Sequence, residues 1–250
     1  MPSKTVTDFT SDTSLILKTF KKLYPSVNEG DDIFCILKAA LNIVQLFPQK
    51  TLSDSECSLE NYIKKWADAY FSFTLPSKRE KSPKATCSDP AIREMVRAIC
   101  HFSDKEAELE SAIHDLFMAA ENVQGNLLEE YIANKTKEFG WIWCYAETLR
   151  AVDFCSYDGN YLLQIKNKNN TENSSSSAIR IGTPVKKWFR LGSKRVDGVY
   201  VPDFKWAELN EIINSKRKPG VEKLCDMNED DYHTFLNKVM NDNPKIIKED

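Results

Sequence analysis

Asp158-Gly159, set between two runs of alternating apolar residues, constrains this chain more than any other feature in it. Asp-Gly is a strong signal for a two-residue hairpin turn, because such a turn needs the positive φ that glycine adopts without strain. A hairpin closed there also fixes register: residues directly opposite one another have numbers that sum to 317. Phe154 then faces Leu163 and Val152 faces Ile165, two apolar pairs on one side. Asp153 faces Gln164 on the other side, with Lys166 two residues further along the same face. Opposed Cβ atoms in an antiparallel pair lie about 4.5–5.5 Å apart, so an acid, an amide and an ammonium converge against an apolar backing.

That trio has chemistry. A carboxylate and an amide oxygen are hard donors of the kind Mg²⁺ prefers, and the Ile165 carbonyl lies beside them. Lys166 can orient an attacking water or lower its pKa beside a phosphodiester. The same residues would also serve as a Lys–Asp pair on an exposed sheet face, which contributes little energy.

Ahead of the hairpin the chain reads as helical. Leu15, Ile16, Phe20 and Leu23 recur at helical spacing up to Pro25, and Ile33, Phe34, Leu37, Leu41 and Val44 repeat the pattern up to Pro48. Ser58 suits the N-cap of a third helix through Tyr70, and Pro90 the first position of a short one ending near Phe102. Residues 75–89, with two prolines and no periodicity, read as a loop. Ser103 or Asp104 caps a long helix whose stripe runs from Leu109 through Ile113, Leu116, Phe117 and Ala120 to Leu127, Leu128, Tyr131 and Ile132. Gly125 interrupts it and is expected to mark a bend or a close approach. Glu121 and Gln124 fall on or beside the stripe, with Glu129 and Glu130 flanking it.

After Gly140 the period becomes two, and residues 141–146 read as a strand. Thr183-Pro184 is read as opening a short helix that carries Lys186, Lys187, Trp188, Phe189 and Arg190. A strand at Val199 to Val201, a helix at Trp206 to Ile213 and a C-terminal helix at Asp230 to Met240 complete the order. The class is α/β (α+β): a helical N-terminal half, residues 1–103, packed on a mixed β-sheet core, residues 104–250, in one continuous unit.

Charge is unevenly placed. Between Arg150 and Lys218 stand 13 basic and seven acidic residues, within a chain whose net charge is -3. A basic C-terminal part on an acidic scaffold fits a polyanionic partner. Seven cysteines without a CxxC pair argue against a disulfide framework or a zinc site, and three scattered histidines argue against histidine chemistry. No apolar run reaches membrane-spanning length and the N-terminus lacks a secretory stretch, so a cytoplasmic location is expected.

Asp153 followed by Gln164-Ile165-Lys166 resembles the PD-(D/E)xK nuclease signature, with glutamine in the second acidic place. The helix segment AENVQGNLLEEYI resembles the one that carries an auxiliary glutamate in that superfamily, at Glu121 or Glu129, with Glu121 nearer the stripe. The segment QIKNKNNTENSSSSAIRIGTPVKKWFR is similar to type II restriction endonucleases of the SinI type, over roughly residues 121–190. The resemblance implies a restriction-endonuclease-like core and Mg²⁺-dependent cleavage of double-stranded DNA leaving 5′-phosphates. It also implies a homodimer and a GG(A/T)CC-like site. Asp153, Gln164, Lys166 and Glu121 would be catalytic, with Asp153, Gln164 and the Ile165 carbonyl on the metal.

Asn169, Asn170, Asn173 and Ser174, Ser175, Ser176 and Ser177 are short donor–acceptor side chains suited to base edges, and Arg180 suits guanine. Lys168, Lys186, Lys187 and Arg190 suit phosphates. By composition alone the same run would be a flexible linker. The rival readings are another nuclease of this chemistry, such as a nickase, a transposon-end nuclease or a structure-specific enzyme, and a DNA-binding module without catalysis.

Overall fold

The computed structural model describes residues 3–80, 89–168 and 183–247. In chain order they form a short strand β1 (Ser3–Lys4), helices α1 (Thr13–Leu23) and α2 (Asp32–Asn42), strand β2 (Lys50–Thr51) and helix α3 (Leu59–Phe71). Helices α4 (Pro90–Cys100) and α5 (Asp104–Thr136) follow. The main sheet is built from β3 (Trp141–Trp143), β4 (Phe154–Ser156), β5 (Leu162–Lys168), β6 (Val185–Val196) and β7 (Val199–Phe204). Helices α6 (Trp206–Ser215) and α7 (Glu229–Asp242) end the chain. The five strands lie in sequence order, antiparallel except for the parallel pair β5 and β6. Helices ahead of a mixed sheet are the α+β arrangement read from the sequence.

Two compact units divide the chain. The first comprises residues 1–73 and 131–232, the second residues 74–130 and 233–250. The boundary expected at residue 103/104 falls inside the second unit.

In the first unit, helices α1 to α3 and one face of the sheet share a core. Ile16, Phe20, Ile36, Tyr62 and Trp66 from the helices cluster with Ile142, Cys155 and Leu162 from the strands. Local signals explain why these helices form. Asp12 caps α1 by accepting from the N–H groups of Ser14 and Leu15, and Ser58 caps α3 by accepting from Asn61. Trp66, fully buried, also donates its indole N–H to the Thr148 carbonyl at 2.8 Å and so ties α3 to the β3–β4 connection.

In the second unit, Ser103 and Glu106 form a reciprocal capping box at the start of α5. Leu127 packs with Val239 and Ile246. Glu130 is 3% exposed and accepts both the backbone N–H (2.8 Å) and the hydroxyl of Ser77. Only part of the expected apolar stripe is covered: Leu127 is buried, whereas Leu109, Leu116 and Phe117 are exposed. Gly125 has open space where a side chain would stand, so no close approach accounts for it.

Two sequence expectations are corrected. Strand β3 stops at Trp143 instead of reaching Ala146, because Ala146 and Glu147 take left-handed φ values of 57° and 50° that no strand accommodates. Residues 185–190 belong to strand β6, not to a helix opened by Thr183-Pro184. Their β-branched and aromatic content suits a strand, and β5 offers an edge for them to pair with. A parallel neighbour needs a crossover of a dozen or more residues, which the chain between Lys168 and Val185 supplies. Among the described residues no helix is long and apolar enough to cross a membrane. None of the six described cysteines is paired.

Candidate active site

Within β4 and β5 the hairpin keeps the register read from the sequence, Phe154 opposing Leu163 and Cys155 opposing Leu162. The expected Val152–Ile165 and Asp153–Gln164 pairs are not part of the ladder, because the Asp153 N–H bonds the Leu163 carbonyl instead. The turn is wider than two residues. The Ser156 N–H donates to the Tyr161 carbonyl at 3.0 Å, leaving Tyr157 to Asn160 as a four-residue loop with the same sum. Asp158 organises that loop by accepting from the Ser156 hydroxyl, the Asn160 backbone and the Asn160 amide. Gly159 has φ 75°, and a Cβ there would stand 2.8 Å from the backbone nitrogen of Ala39 on α2. Glycine is thus required by both conformation and contact.

At the far end of the hairpin the chain bends out of the ladder at Asp153. Its backbone N–H donates to Leu163 at 2.9 Å and its carbonyl accepts from Cys144 at 2.8 Å, which fixes the residue between β3 and β5. The carboxylate turns onto β5 and accepts the Ile165 backbone N–H at 2.6 Å. Burial pushes its pKa up to about 6, against the lowering effects of that N–H and of the Lys166 charge. The anion is therefore undercompensated by its protein neighbours.

Gln164 is 3% exposed and lies on the same strand face as Lys166, which is exposed. Strand β6 adds to this face. Lys187 is the register partner of Gln164, and Phe189 that of Lys166. The Lys187 ammonium sits 4.6 Å from the centre of the Phe189 ring. Burial, and after it the positive charge of Lys166, hold the Lys187 pKa below the ordinary lysine value. One face thus gathers a carboxylate, an amide and two ammonium groups. Sequence reasoning assigned Lys187 to phosphate contact but missed its place beside Lys166, since only the β5–β6 pairing reveals it.

The donor set suits a hard divalent cation. The Asp153 carboxylate, the Gln164 amide oxygen and the Ile165 carbonyl are oxygen donors, and a cation would relieve the undercompensated charge of Asp153. Among the described residues no three His, Cys, Asp or Glu side chains gather as a metal cluster, so waters would complete the shell.

The remaining candidates fall on other elements. Glu121, exposed, and Glu129, half-buried, belong to the second unit, whereas Asp153, Gln164 and Lys166 belong to the first. Lys168 is exposed at the end of β5. Lys186 is exposed on the sheet face opposite to Lys187. Arg190, assigned to phosphate contact, is 5% exposed instead. Its guanidinium donates to Asn167 at 2.8 Å, pairs with Glu229 and lies over the rings of Phe204 and Tyr232 at 5.3 and 5.2 Å. Glu229 also accepts the Trp206 indole N–H at 2.7 Å, so Arg190 anchors β6 to α6 and α7. Asn169, Asn170, Asn173, Ser174, Ser175, Ser176, Ser177 and Arg180 lie outside the described residues.

Comparison with known proteins places the chain in a family. The type II restriction enzyme SinI of Salmonella infantis is 38% identical over 170 residues, covering 66% of each chain. The type II restriction enzyme Eco47I of Escherichia coli is 34% identical over 197 residues, 77% of this chain and 78% of that protein. The SinI restriction endonuclease profile matches residues 50–238, a span that holds the hairpin and every strand of the main sheet. This chain therefore belongs to the SinI restriction endonuclease family and is a type II restriction enzyme.

Proposed function

We propose that this type II restriction enzyme hydrolyses phosphodiester bonds of double-stranded DNA at a centre of the PD-(D/E)xK kind formed by Asp153, Gln164 and Lys166. The observation that carries the proposal is the 2.6 Å contact of the Asp153 carboxylate with the Ile165 amide, which puts the acid on the strand that bears Gln164 and Lys166. Asp153, the Gln164 amide oxygen and the Ile165 carbonyl would hold Mg²⁺. When bound, the ion supplies charge neutralisation at the scissile phosphate and acidifies water.

The chain's own groups do the rest. Lys166 holds the attacking water in line and stabilises its developing negative charge. Lys187, on the neighbouring strand, faces the non-bridging phosphate oxygens. Water adds to phosphorus and the bond to O3′ breaks, leaving a 5′-phosphate and a 3′-hydroxyl. The enzyme acts as a homodimer with one centre for each strand, paired through the exposed apolar faces of α4 and α5. A GG(A/T)CC-like site is the target expected from the SinI resemblance.

Digestion of mixed-sequence duplex DNA with and without Mg²⁺ tests the proposal. Discrete fragments that require Mg²⁺ and vanish in Asp153→Ala and Lys166→Ala are expected. Cleavage that persists in both variants would overturn the site.

A further inference from the structure

Strand β6 outruns the strand it pairs with. Strand β5 accompanies it only from Val185 to Leu191, and the five residue pairs from Gly192↔Asp203 to Val196↔Val199 involve β7 alone. These pairs form a two-stranded ribbon closed at Asp197-Gly198, whose φ values of 49° and 86° suit a two-residue hairpin turn. Arg195 donates through Nε to the Gly198 carbonyl at 3.2 Å and braces that turn.

A bare two-stranded ribbon is marginal on its own, and this one leaves apolar side chains in water. Val199 is 65% and Tyr200 74% exposed. Exposed Lys194 and Arg195 stand beside them; the ribbon's acids are Asp197 at the turn and Asp203 at the base, the latter 3.9 Å from the Lys194 ammonium. Cations next to apolar surface match a DNA groove, whose rim is phosphate and whose floor offers base edges and thymine methyls.

Register ties the ribbon to the active face. Counting by twos from Lys187 along β6 reaches Phe189, Leu191, Ser193 and Arg195, and Arg195 opposes Tyr200. Phe189 is level with Lys166, so at a strand rise of about 3.3 Å per residue Arg195 lies about 20 Å beyond the lysine. The major groove, roughly 12 Å wide, admits a two-stranded ribbon.

We infer that the ribbon of residues 192–203 enters the major groove of duplex DNA within about 20 Å of the cleaved bond and reads its sequence. Arg195 addresses the O6 and N7 acceptors of a guanine, and Tyr200 packs against the neighbouring base edges. Lys194, on the opposite ribbon face, meets a flanking phosphate. The location relative to the cut rests on the proposed centre at Asp153 and Lys166, but the ribbon's role is tested without cleavage.

The test enriches duplexes from a randomised pool by binding to the wild-type protein in Ca²⁺ without Mg²⁺. Affinity for an enriched duplex and for an unrelated one is then measured with Arg195→Ala, Tyr200→Ala, Lys194→Ala and Asp153→Asn. Arg195→Ala and Tyr200→Ala are expected to lose about ten-fold or more on the enriched duplex and little on the unrelated one. Lys194→Ala should weaken both alike and reduce the salt slope by about one. Asp153→Asn should keep its preference for the enriched duplex. Thermal midpoints should stay unchanged for Tyr200→Ala and Lys194→Ala, whose side chains are exposed, and fall only slightly for Arg195→Ala, which loses its bond to the Gly198 carbonyl. A pool from which nothing is enriched, or an Arg195→Ala/Tyr200→Ala double variant that prefers the enriched duplex as the wild type does, would overturn the inference. Failure of the proposed chemistry would appear separately, as wild-type protein that binds the enriched duplex yet leaves it intact in Mg²⁺.

Discussion

The Asp153 carboxylate accepts the Ile165 backbone N–H at 2.6 Å, yet its pKa stands near 6, well above the ordinary 3.8. Burial outweighs the hydrogen bond and the Lys166 charge together. A folded-state pKa above the unfolded one means that the folded chain binds this proton more tightly. Its contribution to stability is therefore lost as pH rises from about 4 through about 6. In EDTA, Asp153→Asn should be more stable than the wild type above pH 7, by up to about 3 kcal/mol, and the difference should fade below pH 4. Urea unfolding of both proteins across that range checks it, and a difference independent of pH would contradict it.

Gly159 meets α2 where its Cβ would press on the Ala39 backbone at 2.8 Å, and its φ is 75°. Gly159→Ala combines left-handed strain with a clash against main-chain atoms that cannot rotate away. A loss of about 2–4 kcal/mol is expected. Gly198→Ala has the φ penalty but open space, so it should lose only about 1 kcal/mol. Similar losses for the two would show that the α2 contact does not matter.

The hairpin was legible because its information is local. A dipeptide and a sum of residue numbers set the register, which holds at Phe154–Leu163 and Cys155–Leu162 although the loop has four residues. It stops short of Asp153, which bonds Leu163 and Ile165 rather than facing Gln164. The partner of β5 was not legible. Residues 183–190 suit a helix start or a strand equally by composition, and a parallel pairing across the segment from 169 to 184 leaves no local mark. Lys187 beside Lys166, and Arg190 turned inward, both follow from that pairing. The buried Glu130 was likewise hidden, since its partner Ser77 lies 53 residues away.

Arg190 and Glu229 form an ion pair whose side chains are 6% and 14% exposed. Removing one partner of a buried pair leaves the other uncompensated, at a cost of about 3–5 kcal/mol. Arg190→Ala should therefore lower the thermal midpoint strongly, and Glu229→Gln less, because the amide oxygen can still accept from the guanidinium. Phosphate contact by Arg190 predicts the opposite: weakened DNA binding with unchanged melting.

Gly125 lies inside α5, and a Cβ added there would meet, beyond the adjoining helix backbone, no described atom within 4 Å. Alanine removes backbone freedom from the unfolded chain without strain in the folded one. Gly125→Ala should stabilise by about 1 kcal/mol, read as a higher urea midpoint at constant slope. Destabilisation would mean that the helix needs a hinge there.

The proposed pairing of two chains needs a surface, and the exposed apolar residues of α4 and the first half of α5 are the candidate. No residue of α4 is buried, and Ile92, Met95, Ile99, Leu109 and Phe117 are each more than half exposed. A symmetric pair would cover these side chains on both copies at once. The wild-type chain should therefore sediment at twice its 28.7 kDa mass. An Ile99→Glu/Phe117→Glu variant should sediment as a single chain with unchanged circular dichroism, since both side chains are exposed. That variant should also nick plasmid DNA one strand at a time, because a duplex cut needs two centres held together. A variant that stays dimeric would put the interface elsewhere, and a monomer that still makes double-strand cuts in one encounter would remove the need for pairing.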